Sequence, residues 1–82
     1  MIEVARMYRL DNGQPLRAFV DVVVNEQVLV KGVRVIKNRD GDLFVTMPKQ
    51  QGKDGKWYET VRMIDEEAKQ ELQETVLEAF NV

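Results

Sequence analysis

The chain of 82 residues contains no cysteine, no histidine and no serine. Their absence excludes disulfides and Cys/His metal clusters, and it removes most nucleophiles and every side chain that is an unperturbed general base near neutral pH. No glycine-rich phosphate loop follows a strand and opens a helix, so nucleotide cofactors have no recognisable site. The sequence therefore predicts a protein that is not an enzyme and that uses no cofactor or metal.

Long apolar runs are also missing. No segment approaches the ~20 apolar residues of a membrane span, and the first ten residues interleave Glu3, Arg6 and Arg9 with apolar positions, unlike a signal peptide. We expect a cytoplasmic protein with a single domain over residues 1–82. A chain of this size buries only about 60–65% of its unfolded surface, and without disulfides or metals oligomerisation is the obvious remedy. A homodimer is therefore expected.

Four turn signals divide the first 64 residues: Asn12-Gly13, Asn25-Glu26, Asp40-Gly41 and Asp54-Gly55. Such pairs tolerate positive φ and favour antiparallel hairpins. The predicted strands are 2–10, 16–24, 27–37, 43–47 and 56–62. Asp40 and Asp42 fit a hairpin turn better than a calcium loop, which needs six or more oxygens. The valine-rich run from Val20 to Val24 is expected to be a sheet edge that requires cover by another element or a partner subunit.

Alternation along the second predicted strand indicates one buried face. Leu16, Ala18, Val20, Val22 and Val24 share that face. In the third strand the apolar phase changes around Gly32, which marks either a β-bulge or sharp bend, or a simple weak point in the strand.

From Asp65 the apolar period changes from two to 3.6. One helical face carries Ala68, Leu72, Val76, Ala79 and Phe80. Asp65 is placed to cap this helix, and Glu66 and Glu67 lie where the helix dipole favours negative charge. The predicted fold class is therefore α+β: a five-stranded antiparallel sheet with one C-terminal amphipathic helix.

Charge is divided unevenly along the chain. The net charge is −2, but residues 65–82 hold six acids and one base, a balance of −5, whereas residues 31–62 hold eight bases and four acids, a balance of +4. The distribution of charge matters more than the net charge for association with charged partners. The basic segment suits nucleic acid, although an ordinary solvated surface of mixed charge fits it as well.

The segment PKQQGKDGK, residues 48–56, concentrates the groups that could bind a ligand. Lysines can contact phosphates, glutamines can read base edges, and glycines allow close approach of the backbone. The candidate nucleic-acid-binding residues are Lys49, Gln50, Gln51, Lys53, Lys56 and Arg62. A solvated hairpin tip is the alternative interpretation.

Trp57 and Tyr58 point to opposite faces of their strand, so at most one can serve the core. The other can stack on a nucleobase, or pack under the helix or in a dimer interface. Six further cations lie on the first three predicted strands: Arg6, Arg9, Arg17, Lys31, Arg34 and Lys37. The face of the sheet on which each side chain lies depends on the strand order and on the Gly32 bend.

Residues 41–64, GDLFVTMPKQQGKDGKWYETVRMI, resemble the signature of the stage V sporulation protein G (SpoVG) family. That signature is a Leu-Phe-Val-x-Met-Pro run, a short basic loop, an Asp-Gly turn and an aromatic-led strand. It is carried here by Leu43, Phe44, Val45, Met47, Pro48, Asp54, Gly55 and Trp57. The resemblance implies a small bacterial DNA- or RNA-binding regulator without enzymatic activity. Gln50 and Gln51 stand where the family typically has an adjacent Lys-Arg pair.

Together the residues and the resemblance predict a homodimeric nucleic-acid-binding regulator that uses its basic hairpin loop, with weak and salt-sensitive binding. The alternative is a non-enzymatic protein-interaction module that uses the acidic C-terminal helix, whose charge would repel a phosphate backbone.

Overall fold

An antiparallel sheet of four strands fills the first half of the chain in the computed structural model, which describes residues 1–82. Its strands follow chain order, β1-β2-β3-β4, and a separate two-stranded hairpin and one helix come next. The elements are β1 Ile2–Arg9, β2 Leu16–Val24, β3 Val28–Lys37, β4 Leu43–Thr46, β5 Lys49–Gln51, β6 Trp57–Glu59 and α1 Glu66–Phe80. The α+β class with one C-terminal helix is confirmed.

Tight turns connect β2 to β3 and β3 to β4 at the predicted places. Asn25 and Glu26 have φ of 52° and 59°, as in the hairpin turns whose twist matches that of the strands. The Asn38 side-chain oxygen accepts hydrogen bonds from the backbone nitrogens of Asp40 and Asp42, at 3.0 and 2.9 Å. These bonds close the β3–β4 turn, where the sequence placed one.

Gly32 lies at a β-bulge. The β2–β3 register passes from Val20 opposite Val33 to Val22 opposite Val30, so β3 carries one extra residue there. Gly32 adopts a φ of +87°, a conformation that residues with a Cβ rarely adopt. The bulge explains why Val30 and Val33 both face the core although their spacing is odd.

Helix α1 covers one face of the sheet. Leu72 and Val76 are buried against the fully buried Val20, Val22 and Val35. Each such side chain contributes roughly 1.5–3 kcal/mol. Asp65 occupies the N-cap with extended backbone, as predicted, but its side chain makes no capping hydrogen bond. The helix is too short and too polar to cross a bilayer.

The prediction of a single five-stranded sheet is wrong. The predicted fifth strand is shorter, Trp57–Glu59, and pairs with β5 in a hairpin of its own. Pro48 accounts for the separation because it has no N–H for a sheet ladder and lies two residues after the end of β4. The chain leaves the sheet there, and the backbone oxygen of Pro48 accepts a bond from the Thr60 nitrogen at 3.0 Å.

The expected edge at Val20–Val24 is wrong too. This run lies in β2, which pairs with β1 on one side and β3 on the other, so the edge strands are β1 and β4. The uncovered part of the sheet is the face opposite α1, here called the open face. One row of it runs across all four strands as Tyr8, Phe19, Arg34 and Thr46.

Candidate functional site

The β5–β6 hairpin carries most of the candidate residues. Cross-strand partners are Lys49 with Glu59, Gln50 with Tyr58, and Gln51 with Trp57. Since paired residues share a face and successive pairs alternate, the first and third pairs lie on one face and the second on the other. The tip closes through the Gly52 nitrogen, which donates to the Lys56 oxygen at 2.8 Å.

Tyr58 and Asp54 hold the tip in shape. The Tyr58 hydroxyl donates to Asp54 Oδ2 at 2.6 Å, and the Lys56 nitrogen donates to Asp54 Oδ1 at 3.0 Å. The Tyr58 bond, followed by the Lys56 bond, lowers the pKa of Asp54, and the same bond from Tyr58 raises the pKa of the tyrosine. The Tyr58 ring lies so close to Gly52 that an added Cβ would meet its Cε2 at 2.9 Å.

The three hairpin lysines are exposed and form no ion pair. Lys49 lies in β5, and Lys53 and Lys56 flank the Asp54-Gly55 turn. Arg62 lies beyond β6 and forms an ion pair with Glu59 at 3.1 Å. The hairpin thus presents three free ammonium groups, while the Arg62 guanidinium is partly neutralised.

The two glutamines differ. The Gln51 side-chain nitrogen donates to the Gly55 oxygen at 3.1 Å and so helps to close the tip. Gln50 is exposed, and its side-chain amide makes no hydrogen bond within the chain. Of the two, only Gln50 leaves its whole amide available to a ligand.

A cleft of about 510 Å³ separates the hairpin from α1. Its polar rim contains Lys49, Glu59, Arg62 and Lys69, and its floor is the apolar set Val45, Met47, Met63 and Leu72. Among the predicted residues, the fold brings Lys49 and Arg62 together here. Lys53, Lys56 and the two glutamines do not line this cleft, and they lie on the hairpin away from it.

Sequence reasoning did not single out Lys69, which comes from the acidic helix. It lines the cleft and forms an ion pair with Glu66 at 3.3 Å, one helical turn earlier. The sequence shows that Lys69 is the only base in residues 65–82. Whether its side chain lines the cleft depends on how α1 docks on the sheet, which the sequence does not show. Hairpin and cleft together hold five cations and two acids: Lys49, Lys53, Lys56, Arg62 and Lys69 against Asp54 and Glu59.

Neither hairpin aromatic is buried within the chain. Trp57 is 60% exposed and Tyr58 is 52% exposed. Tyr58 packs on Gly52 within the hairpin, whereas Trp57 stands on the same hairpin face as Lys49 and Gln51. Packing of Trp57 under α1 is therefore wrong, and stacking on a base or contact with a partner stays a prediction.

Comparison with known proteins identifies relatives along the whole chain. The family model described as SpoVG matches residues 1–82. The chain is 31% identical to "Putative septation protein SpoVG 2" of Listeria monocytogenes over 75 residues, which cover 92% of the chain and 72% of that protein. It is 30% identical to "Putative septation protein SpoVG" of Macrococcus caseolyticus over 93% of the chain and 65% of that protein. A protein of the same name from Archaeoglobus fulgidus is 28% identical over 96% of the chain and 92% of its own length.

Proposed function

The chain belongs to the SpoVG family, and we propose that it is a cytoplasmic nucleic-acid-binding regulator that acts as a homodimer. The β5–β6 hairpin is the binding element in this proposal, and binding rather than catalysis is the activity. The names of its relatives connect those proteins with septation. A regulator of DNA or RNA in that process is the function that we assign to this chain.

One observation carries the proposal: the hairpin presents Lys49, Lys53 and Lys56 exposed and without ion pairs. Free ammonium groups release counterions when they meet phosphates, and this release drives most non-specific binding to nucleic acids. A two-stranded ribbon is also narrow enough to enter the major groove of DNA, about 12 Å wide. Gln50 would there be free to read a base edge.

Trp57 supports a contact with unpaired bases. Its exposed indole shares a hairpin face with Lys49, so a base stacked on the ring would bring its backbone phosphate toward that lysine. Base–aromatic stacking is worth about 1–3 kcal/mol per base. Single-stranded nucleic acid is therefore a substrate to compare with duplex.

Dimerisation is supported by the open face of the sheet. It is rich in apolar groups, including the exposed Tyr8, Leu29 and Phe44, and α1 packs on the opposite face. A second copy on this face would cover the apolar groups.

Light scattering tests the dimer. A mass near twice 9.5 kDa at micromolar concentration is expected. Leu29→Lys should shift the mass toward the monomer, whereas Val28→Lys, an equally exposed neighbour on the other side of β3, should not. A wild-type mass near 9.5 kDa would contradict the dimer.

A binding titration tests the function. Wild-type protein is titrated against random duplex DNA, single-stranded DNA and RNA at several salt concentrations, and affinity should fall as salt rises. The acidic helix, with Glu67, Glu74 and Glu78 exposed, supports the alternative of a protein-interaction module. No affinity for any nucleic acid at 50 mM salt would favour that alternative.

A further inference from the structure

We propose that the chain has a second phosphate-binding site, formed by Arg17, Lys37 and Arg39 at the end of the sheet remote from the hairpin. The phosphate can belong to a nucleic-acid backbone or to a small phosphate ligand. In the first case the site rests on the proposed function and extends it; in the second it stands independently.

Two adjoining depressions define the place, and they share Arg17, Lys37 and Gly41. The larger has a volume of about 550 Å³ and apolar walls that include Leu43 and Phe80. The smaller has a volume of about 270 Å³ and is lined entirely by polar residues, glycine and proline, including Arg39. The larger volume falls in the range of pockets for small ligands, about 300–1,000 Å³.

Local folding explains why these cations meet. Arg17 is an extra residue in β2, between Leu16 opposite Ile36 and Ala18 opposite Val35. Bulges of this kind redirect a side chain out of the regular alternation. Lys37 ends β3, and its Cε lies 3.8 Å from the position of a Cβ on Gly41, so its side chain extends over the β3–β4 turn.

Backbone bonds hold the strand ends together around the site. The Leu10 nitrogen donates to the Arg17 oxygen, and the Lys37 nitrogen donates to the Pro15 oxygen, both at 2.8 Å. These bonds fix β1, β2 and β3 to one another where the cations stand. A preformed arrangement reduces the ordering cost of binding.

The cations at this end form no ion pair. The ion pairs of the structure use Arg62 and Lys69, so Arg17, Lys37 and Arg39 have none. Asp11 is the single acid that lines either depression. Asp40 and Asp42 belong to the adjoining turn and line neither. Unpaired guanidinium and ammonium groups that converge on a concave surface favour phosphate, to which arginine can donate two parallel hydrogen bonds.

Arg9 prepares the site without being a ligand. Its Nη2 donates to the backbone oxygens of Ala79 and Val82, at 3.2 and 3.4 Å, and its guanidinium lies 4.8 Å from the centre of the Phe80 ring. The carbonyl end of a helix repels anions. Because Arg9 binds the Ala79 carbonyl in the last turn of α1, its charge offsets part of this repulsion beside the neighbouring depression.

NMR titration with inorganic phosphate, against chloride at equal ionic strength, tests the site itself. Amide shifts at Gly13, Asn38 and Gly41 are expected in the wild type. These shifts should disappear in the variant Lys37→Gln/Arg39→Gln. Both residues are exposed, so the two substitutions should not disturb folding. Lys53→Gln/Lys56→Gln, on the hairpin, is the charge-matched control and should retain them. Absence of these shifts in the wild type, or their survival in Lys37→Gln/Arg39→Gln, overturns the proposal.

Nucleic-acid titration of the same variants distinguishes the sources of the phosphate. If the site holds a backbone phosphate, Lys37→Gln/Arg39→Gln still binds through the hairpin, but its slope of log affinity against log salt is shallower by about 0.9 for each lost phosphate. An unchanged slope together with the inorganic-phosphate shifts assigns the site to a small phosphate ligand. If the wild type binds no nucleic acid, the proposed function fails, while the inorganic-phosphate titration still decides this site.

Discussion

Leu72→Ala tests whether α1 docks on the sheet as described. Leu72 is 4% exposed, lies in the core cluster with Val76, and also forms part of the floor of the hairpin–helix cleft. The substitution removes three carbons, worth about 2.4 kcal/mol at ~0.8 kcal/mol each, and leaves a cavity that adds to the cost. We expect a loss of about 3 kcal/mol in the free energy of unfolding.

This loss is large for a domain of 82 residues, whose total stability is expected to be about 4–12 kcal/mol. At roughly 4–8 °C per kcal/mol, the midpoint of thermal unfolding should fall by about 12–24 °C. Circular dichroism melts measure it, with Gln73→Ala as the control because Gln73 is the exposed neighbour in the same helix. Equal melts for the two variants would refute the docking of α1 through this face.

Three further predictions concern the helix end and the hairpin. Phe80→Ala should cost about 2 kcal/mol by urea unfolding, below the ~3–5 kcal/mol of a fully buried phenylalanine, because Phe80 is only partly buried. Gly52→Ala should displace the Tyr58 ring and broaden the hairpin amide signals in NMR spectra while the melt changes little; an unchanged hairpin spectrum would contradict it. Asp54→Asn should lower the pKa of Tyr58, read from tyrosinate absorbance, because the carboxylate bond raises it; an unchanged titration curve would contradict the bond.

The pH range of the Asp54–Tyr58 bond follows from the two shifts. The pKa of Asp54 is lowered from its ordinary 3.8. Its contribution to the stability of the folded tip is therefore complete above pH 3.8 and is lost as the pH falls through the lower pKa of the folded state. The pKa of Tyr58 is raised from its ordinary 10.0. Its contribution to the stability of the folded tip is therefore complete below pH 10.0 and is lost as the pH rises through the higher pKa of the folded state. The tip should therefore loosen only in strong acid or strong base.

Local pattern predicted much of the fold. Alternation in β2 identified Ala18, Val20 and Val22 as core residues, and the phase change around Gly32 located an irregularity in β3, which the structure shows to be a bulge. Turn chemistry located the connections. The separate hairpin was missed because Lys49–Gln51 has no apolar alternation, and the consequence of Pro48 for the sheet depends on which strand follows it in space.

The site was predicted less completely. The exposure of the hairpin lysines could be predicted from composition, since a loop with three lysines and two glycines is exposed in almost any fold. The cleft could not, because it joins Lys49 to Lys69 across 20 positions of sequence and depends on how α1 docks. Arg17 and Lys37 meet for a similar reason: a bulge and a strand end become neighbours only in the folded sheet.

Salt-dependent binding of the hairpin variant tests the central claim most directly. If a dimer neutralises about four phosphates, log affinity for duplex should fall with log salt at a slope of roughly −3.6. Lys49→Ala/Lys53→Ala/Lys56→Ala should abolish binding with an almost unchanged melt, because all three side chains are exposed. Gln50→Ala, in the same hairpin, should keep the slope and change only selectivity. Wild-type affinity in the triple-lysine variant would contradict the hairpin as the binding element.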